Sequence, residues 1–197
     1  MLFPLTAADL TSVLPPDQVV RAERSAAAEV IADVDAVAFL SEVGVPWCSG
    51  VFHLGASLAP VSTPDRLVSQ QSDLPMVIDS PFGELGSLGA LQYTLVYVRR
   101  SDGVVFATSE NADEGYERYE RIHADVSSLS KLLFLVESKA PDPDLRYSEA
   151  RPLYSQAARE IKAEMIAVDP TPFADPDGFW SDYLDSFAGG MYPRKPR

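Results

Sequence analysis

The chain has 197 residues, 46% of them hydrophobic and 23% charged, a composition that supports one substantial packed core and excludes a disordered or collagen-like protein. Its 29 acidic side chains against 16 basic ones leave a formal net charge of -13. That balance argues against direct binding of nucleic acid or of an anionic membrane, which both need clustered Lys and Arg, and it favours a basic partner.

The opening MLFPLTAADL lacks the basic region and long apolar segment of a secretory signal. No stretch approaches the ~18 uninterrupted apolar residues of a spanning helix. Cys48 is the single cysteine, so no internal disulfide can form and a cytoplasmic location is expected. Residues 25–40, SAAAEVIADVDAVAFL, repeat apolar groups at Ala27, Val30, Ile31, Val34, Val37 and Ala38. This is the spacing of one helical face, with Ser25 as its cap. FLSEVGVPW then stops the helix: Gly44 can turn left-handed, Pro46 cannot continue, and Trp47 can seal the turn.

The middle of the chain reads as β. GVFHL at 50–54 and PMVID at 75–79 are short apolar runs between turn residues. GELGSLG at 83–89 has no Lys after its last glycine and runs into a strand, the reverse of a phosphate cradle, so it is expected to be a flexible loop. LQYTLVYV at 91–98 reads as a central strand covered on both faces, RRSDG at 99–103 turns the chain, and VVFATSE returns as its hairpin partner.

NADEGYERYE follows as an acidic, tyrosine-bearing loop, and RIHADVSSLSKLLFLVE as a helix capped by Asp125. Residues 153–168 repeat the helical pattern after a loop rich in Pro and charge. DPTPFADPDGFW is a proline-punctuated turn leading to the short helix FWSDYLDSFAGG, and the tail 191–197 is basic and loose.

Little in the sequence points to chemistry. His53 and His123 are the two histidines and neither has a second ligand at helical spacing, so no metal site is expected. There is no G-x-S-x-G elbow and no distinctive carboxylate pair, so no catalytic residue and no cofactor are assigned. A buried polar pocket holding either histidine beside carboxylates would instead point to a hydrolase or a ligand-binding protein. Most aromatic residues fall on predicted strands and helices, where core packing explains them. Tyr116 and Tyr119, set among Asp113, Glu114, Glu117 and Glu120, are the exception: the rings can bury contact area while the carboxylates steer a basic partner. A solvated loop accounts for the same residues.

Taken in order, FLSEVGVPW with Gly44, Pro46 and Trp47, the hairpin LVYVRRSDGVVFAT with Asp102 and Gly103, the helix opening RIHADV, and the closing DP…FW with Asp169, Pro170, Phe179 and Trp180 resemble the SUKH superfamily, also called SMI1/KNR4-like. The resemblance is nearest to its SUKH-4 branch of bacterial immunity proteins from actinobacteria. It departs at His123, where an asparagine is expected. It implies a single α+β domain over 1–197, with a core at about 25–190 and a mixed or antiparallel sheet flanked by helices. It also implies a non-enzymatic immunity protein, a monomer or weak homodimer, that binds and blocks a polymorphic toxin of nuclease or nucleic-acid deaminase type. An intracellular protein-binding adaptor is the alternative.

Overall fold

The segment GELGSLGAL is a strand rather than a loop, the longest among the described residues. In a computed structural model that describes residues 1–69, 76–92, 94–111 and 116–191, Gly83–Leu91 forms β6, paired with three other strands. Two of its glycines, Gly86 and Gly89, are there for close approach. A Cβ at Gly86 would stand 2.3 Å from Val30 Cγ1, and one at Gly89, whose φ is +150°, would stand 2.1 Å from the His53 carbonyl oxygen. Only a bare backbone lets a helix end on one side and a neighbouring strand on the other come this near, and the register shifts between Ser87 and Gly89.

The elements are α1 (Ala7–Thr11), β1 (Val19–Val20), α2 (Arg24–Val30), α3 (Val34–Glu42), β2 (Val45–Pro46), β3 (Phe52–Gly55), β4 (Val68–Ser69), β5 (Val77–Ser80), β6, β7 (Thr94–Arg99), β8 (Val105–Asn111), β9 (Tyr116–His123), α4 (Val126–Lys139), α5 (Tyr147–Ile166) and α6 (Phe179–Ala188). The main sheet runs β4-β3-β6-β7-β8-β9, with β5 also on β6. The β3–β4 pair is parallel and the other pairs are antiparallel. This is an α+β domain with a mixed sheet. β1 and β2 form a separate antiparallel pair.

The expected helix over 25–40 is two helices. Glu23, not Ser25, caps α2 by accepting from Ala26 N at 2.9 Å. Ile31 is extended, and the amides of Ala32 and Asp33 donate to the Arg100 carbonyl at 2.9 and 3.0 Å. Asp33 then caps α3 through Ala36 N at 2.8 Å. Periodicity alone could not register a break supplied by a residue so distant in sequence. The stop after α3 is as expected: Gly44 has φ +89°, and its N–H and that of Val43 both donate to the Phe39 carbonyl at 2.9 Å. Gly44 also serves packing, since a Cβ there would lie 2.5 Å from the Val20 carbonyl oxygen. Pro46 enters β2 opposite Val19, and Trp47 N donates to the Gln18 carbonyl at 2.8 Å.

LQYTLVYV splits between two strands. Leu91 closes β6, Gln92 turns at φ +53°, and β7 begins at Thr94. β7 lies between β6 and β8, with Val96 and Val98 in the main core. On its other face Tyr97 joins Leu85, Val104 and Phe106, with Ile78, Leu95 and Tyr119 packed against them. Among the described residues no helix residue belongs to that cluster. In the hairpin, Gly103 has φ +74° and Arg99 grips the Asp102 carboxylate through two hydrogen bonds of 2.8 and 2.6 Å.

NADEGYERYE is not a loop throughout. From Tyr116 it is β9, the outermost strand, which extends through His123 into the segment expected to open the next helix. Asp113 and Glu114 lie outside the described residues. Asp125 caps α4 by accepting from Ser128 N at 2.9 Å, as its position implied. α5 begins at Tyr147, ahead of the expected start, and carries Pro152 near its first turns. The main core draws on Phe3, on α2–α6 and on the strands, and Phe52 and Trp180 are among its largest fully buried side chains.

Candidate functional site

Three places gather polar or aromatic groups. The first is sealed inside. His123 ends β9, is fully buried, and its Nδ1 lies 2.9 Å from Ser128 Oγ. Ser128 Oγ donates to Asp169 Oδ2 at 2.5 Å, which leaves His123 Nδ1 as the donor to the serine oxygen. The neutral imidazole is thereby held as the Nδ1–H tautomer, and Nε2 has no hydrogen-bond partner among the described residues. Burial pushes the His123 pKa down to about 3, against a smaller opposing pull from Asp169. Burial works to raise the Asp169 carboxyl, but hydrogen bonds from Ser128, Ala124 N and Thr171 outweigh it and hold it below the ordinary carboxylate range.

Ser, His and Asp thus meet as a carboxylate, a hydroxyl and an imidazole in that order. A serine nucleophile needs the imidazole to take its proton, and here the proton goes to the carboxylate in a place closed to solvent. The cluster is a clamp. It ties the end of β9 to the start of α4 and to the turn after α5. Trp180 lies edge-on to His123 at 5.4 Å, and Phe179 and Tyr183 are edge-on to Trp180 at 5.0 and 5.3 Å. Asp125 adds the amino end of the chain, accepting from Leu2 N at 2.6 Å and from Ser127 Oγ at 2.7 Å.

The second place surrounds His53, on the face of β3 opposite the core. Its ring is edge-on to Trp47 at 6.4 Å, and Arg66 lies 5.9 Å above Trp47 while pairing with Asp17 at 2.6 Å. A hollow of about 340 Å³ opens beside it, lined by Asp65, Arg66, Ser69 and Gln92 among others. Among the described residues no three metal-binding side chains converge here or elsewhere.

The third place is the outer margin of the sheet, where four of the expected contact residues fall on β9. Strand alternation separates Tyr119 from Glu120. Glu120 turns toward the helices, where its carboxylate accepts from Phe179 N at 3.1 and 3.3 Å and so caps α6, whose own cap residue, Gly178, has no side chain. A Cβ at Gly178 would lie 2.5 Å from Glu120 Oε1, so glycine there is what admits the carboxylate. Next to it lies a groove of about 220 Å³ lined by Thr94, Ala107, Thr108, Glu120, Asp177, Phe179 and Asp182.

Tyr119 turns to the other face. There Phe82 lies edge-on to it at 6.5 Å and stacks on Phe106 at 5.1 Å with 29° between the ring planes. Phe82 is 46% exposed. Sequence reading gave Phe82 no role. The available signal was an aromatic residue in a Pro-Phe-Gly turn, where core packing does not account for it. Tyr116 and Glu117 lie on the same strand as Tyr119.

A family model described as SUKH-4 immunity protein matches residues 5–186 of the chain. The match begins earlier than the resemblance read from motifs and includes α1, whose Thr6 and Asp9 form a reciprocal capping box. No curated protein and no solved structure matches.

Proposed function

The chain belongs to the SUKH-4 immunity protein family, and from that premise we propose that it binds a cognate polymorphic toxin and blocks the face on which the toxin takes its substrate. The observation that carries this reading is the family match over residues 5–186, and the net charge of -13 gives it a mechanism. A nuclease or nucleic-acid deaminase must attract phosphate with Lys and Arg, and a strongly acidic protein competes for the same surface. The sealed Ser128, His123 and Asp169 cluster accords with a protein that works by binding rather than by catalysis. Among the described residues no helix is long and apolar enough to cross a membrane.

Contact falls in this reading to Tyr116, Glu117 and Tyr119 of β9, with Asp113 and Glu114 shortly before them in the sequence. Glu120 shapes that region from behind, because its carboxylate is engaged with α6. The test is co-expression with the toxin domain encoded beside this chain. Cells should survive with both proteins and die with the toxin alone, and death in the presence of both would sink the reading for that pair.

A further inference from the structure

Resting on that reading, we infer that the toxin docks astride the outer margin of the sheet and presents a basic side chain beside an apolar one. β9 is the last strand of the sheet order, and among the described residues it pairs with β8 only. Its two sides differ in chemistry. One carries the stack of Phe82 on Phe106 with Tyr119 at its edge, backed by Tyr97 and Leu85 and, among the described residues, by no helix. Phe82 is nearly half exposed yet held by its neighbours, so a partner can cover it with little loss of side-chain freedom, as interface hot spots require.

The other side is the groove at the start of α6. Ala107 and the Phe179 ring supply apolar walls for the stem of an Arg or Lys, and Asp177 and Asp182 supply exposed carboxylates for its head. No Lys or Arg among the described residues lies within ion-pair distance of either aspartate, whereas six other cations are paired: Arg24, Arg66, Arg99, Arg100, Lys131 and Lys139. The aromatic side carries cations instead, one of which, Arg99, is paired with Asp102. Arg99 lies 5.8 Å over the Phe106 ring, and Arg121 sits opposite Phe106 in the strand register. Charge therefore orients the partner, sending its basic group to the groove and its apolar group to Phe82.

The experiment measures association and dissociation rates of the full chain with the toxin domain encoded beside it, using three variants that are each fully folded at the assay temperature. Asp177→Lys with Asp182→Lys should slow association about tenfold or more, and the deficit should shrink as salt is raised. Phe82→Ser should speed dissociation about tenfold while leaving association near wild type. Asp35→Lys with Glu149→Lys makes the same change of charge at exposed first-turn positions of α3 and α5, and should change association less than about threefold. If the lysine pair at the groove lowers the melting temperature, Asp177→Asn with Asp182→Asn replaces it, with a smaller slowing in the same direction. Equal slowing by the groove and control pairs, or unchanged dissociation in Phe82→Ser, would overturn the docking surface while leaving immunity in place. Failure of the wild-type chain to bind or protect would overturn both.

Discussion

The two faces of the central sheet are made by the same strands, one residue out of phase, and they do different work. On the helix side Val96, Val98, Val105, Ala107 and Ile122 disappear into a core shared with five helices, and Gly86 lets Val30 come down onto the backbone itself. On the other side Leu85, Tyr97, Val104 and Phe106 form a small cluster with a half-exposed phenylalanine on top. Stability is concentrated on the first face because a large continuous apolar contact is available there. The second keeps a rigid aromatic surface that contributes little to folding and is free to be covered by something else.

The sharpest test of that contrast is a pair of truncations. Trp180→Ala on the covered side should cost about 3–5 kcal/mol, whereas Phe82→Ser on the open side should cost only about 1 kcal/mol. Both are read from the midpoint of urea unfolding, and comparable losses would mean that the open face is as structural as the covered one.

Acid should expose the same asymmetry. The folded His123 pKa is about 3 and its ordinary value 6.5, so below 6.5 the unfolded chain takes up a proton that the folded chain refuses. Stability should therefore fall as pH drops from about 6.5 toward 3, by about 4 kcal/mol across that window, with the depressed Asp169 carboxyl adding a further loss at its acid end. His123→Asn should flatten the fall between pH 6 and 4 (approximate limits set by the same linkage). A variant that retains the full slope would place its origin elsewhere.

A smaller effect than that of acid belongs to the margin where the faces meet. Glu120→Gln keeps the shape but weakens the cap on α6, and should cost about 1 kcal/mol as read by thermal unfolding, with toxin affinity little changed. A loss of affinity without a loss of stability would make Glu120 a contact residue after all.

What could be read ahead of the fold was whatever has a cause within a few residues. Asp125 caps α4 because Ser128 N is three positions away, Gly44 stops α3 because the left-handed turn is its own, and the Asp102–Gly103 turn closes on Arg99 next to it. The failures share one feature, a partner far along the chain. Gly86 and Gly89 of β6 resemble loop residues until Val30 and the His53 carbonyl are seen to need their missing side chains. The break before α3 depends on the Arg100 carbonyl, and the His123 clamp on Asp169. YERYERIH has no clean apolar alternation, because one side of an edge strand carries a cap for α6 and the other an aromatic patch.

By itself the sequence determined the cap at Asp125, the turns at Gly44 and Asp102–Gly103, the family to which the order of its motifs points, and a charge that suits a basic partner. Those are additive or local properties, legible without knowing what folds against what. Only the tertiary structure decided that Ser128, His123 and Asp169 form a sealed clamp, that Glu120 is engaged with α6, and that Phe82 stands on a sheet face to which no described helix residue contributes. Each depends on burial and on contacts between distant segments, and both arise only when the chain closes on itself.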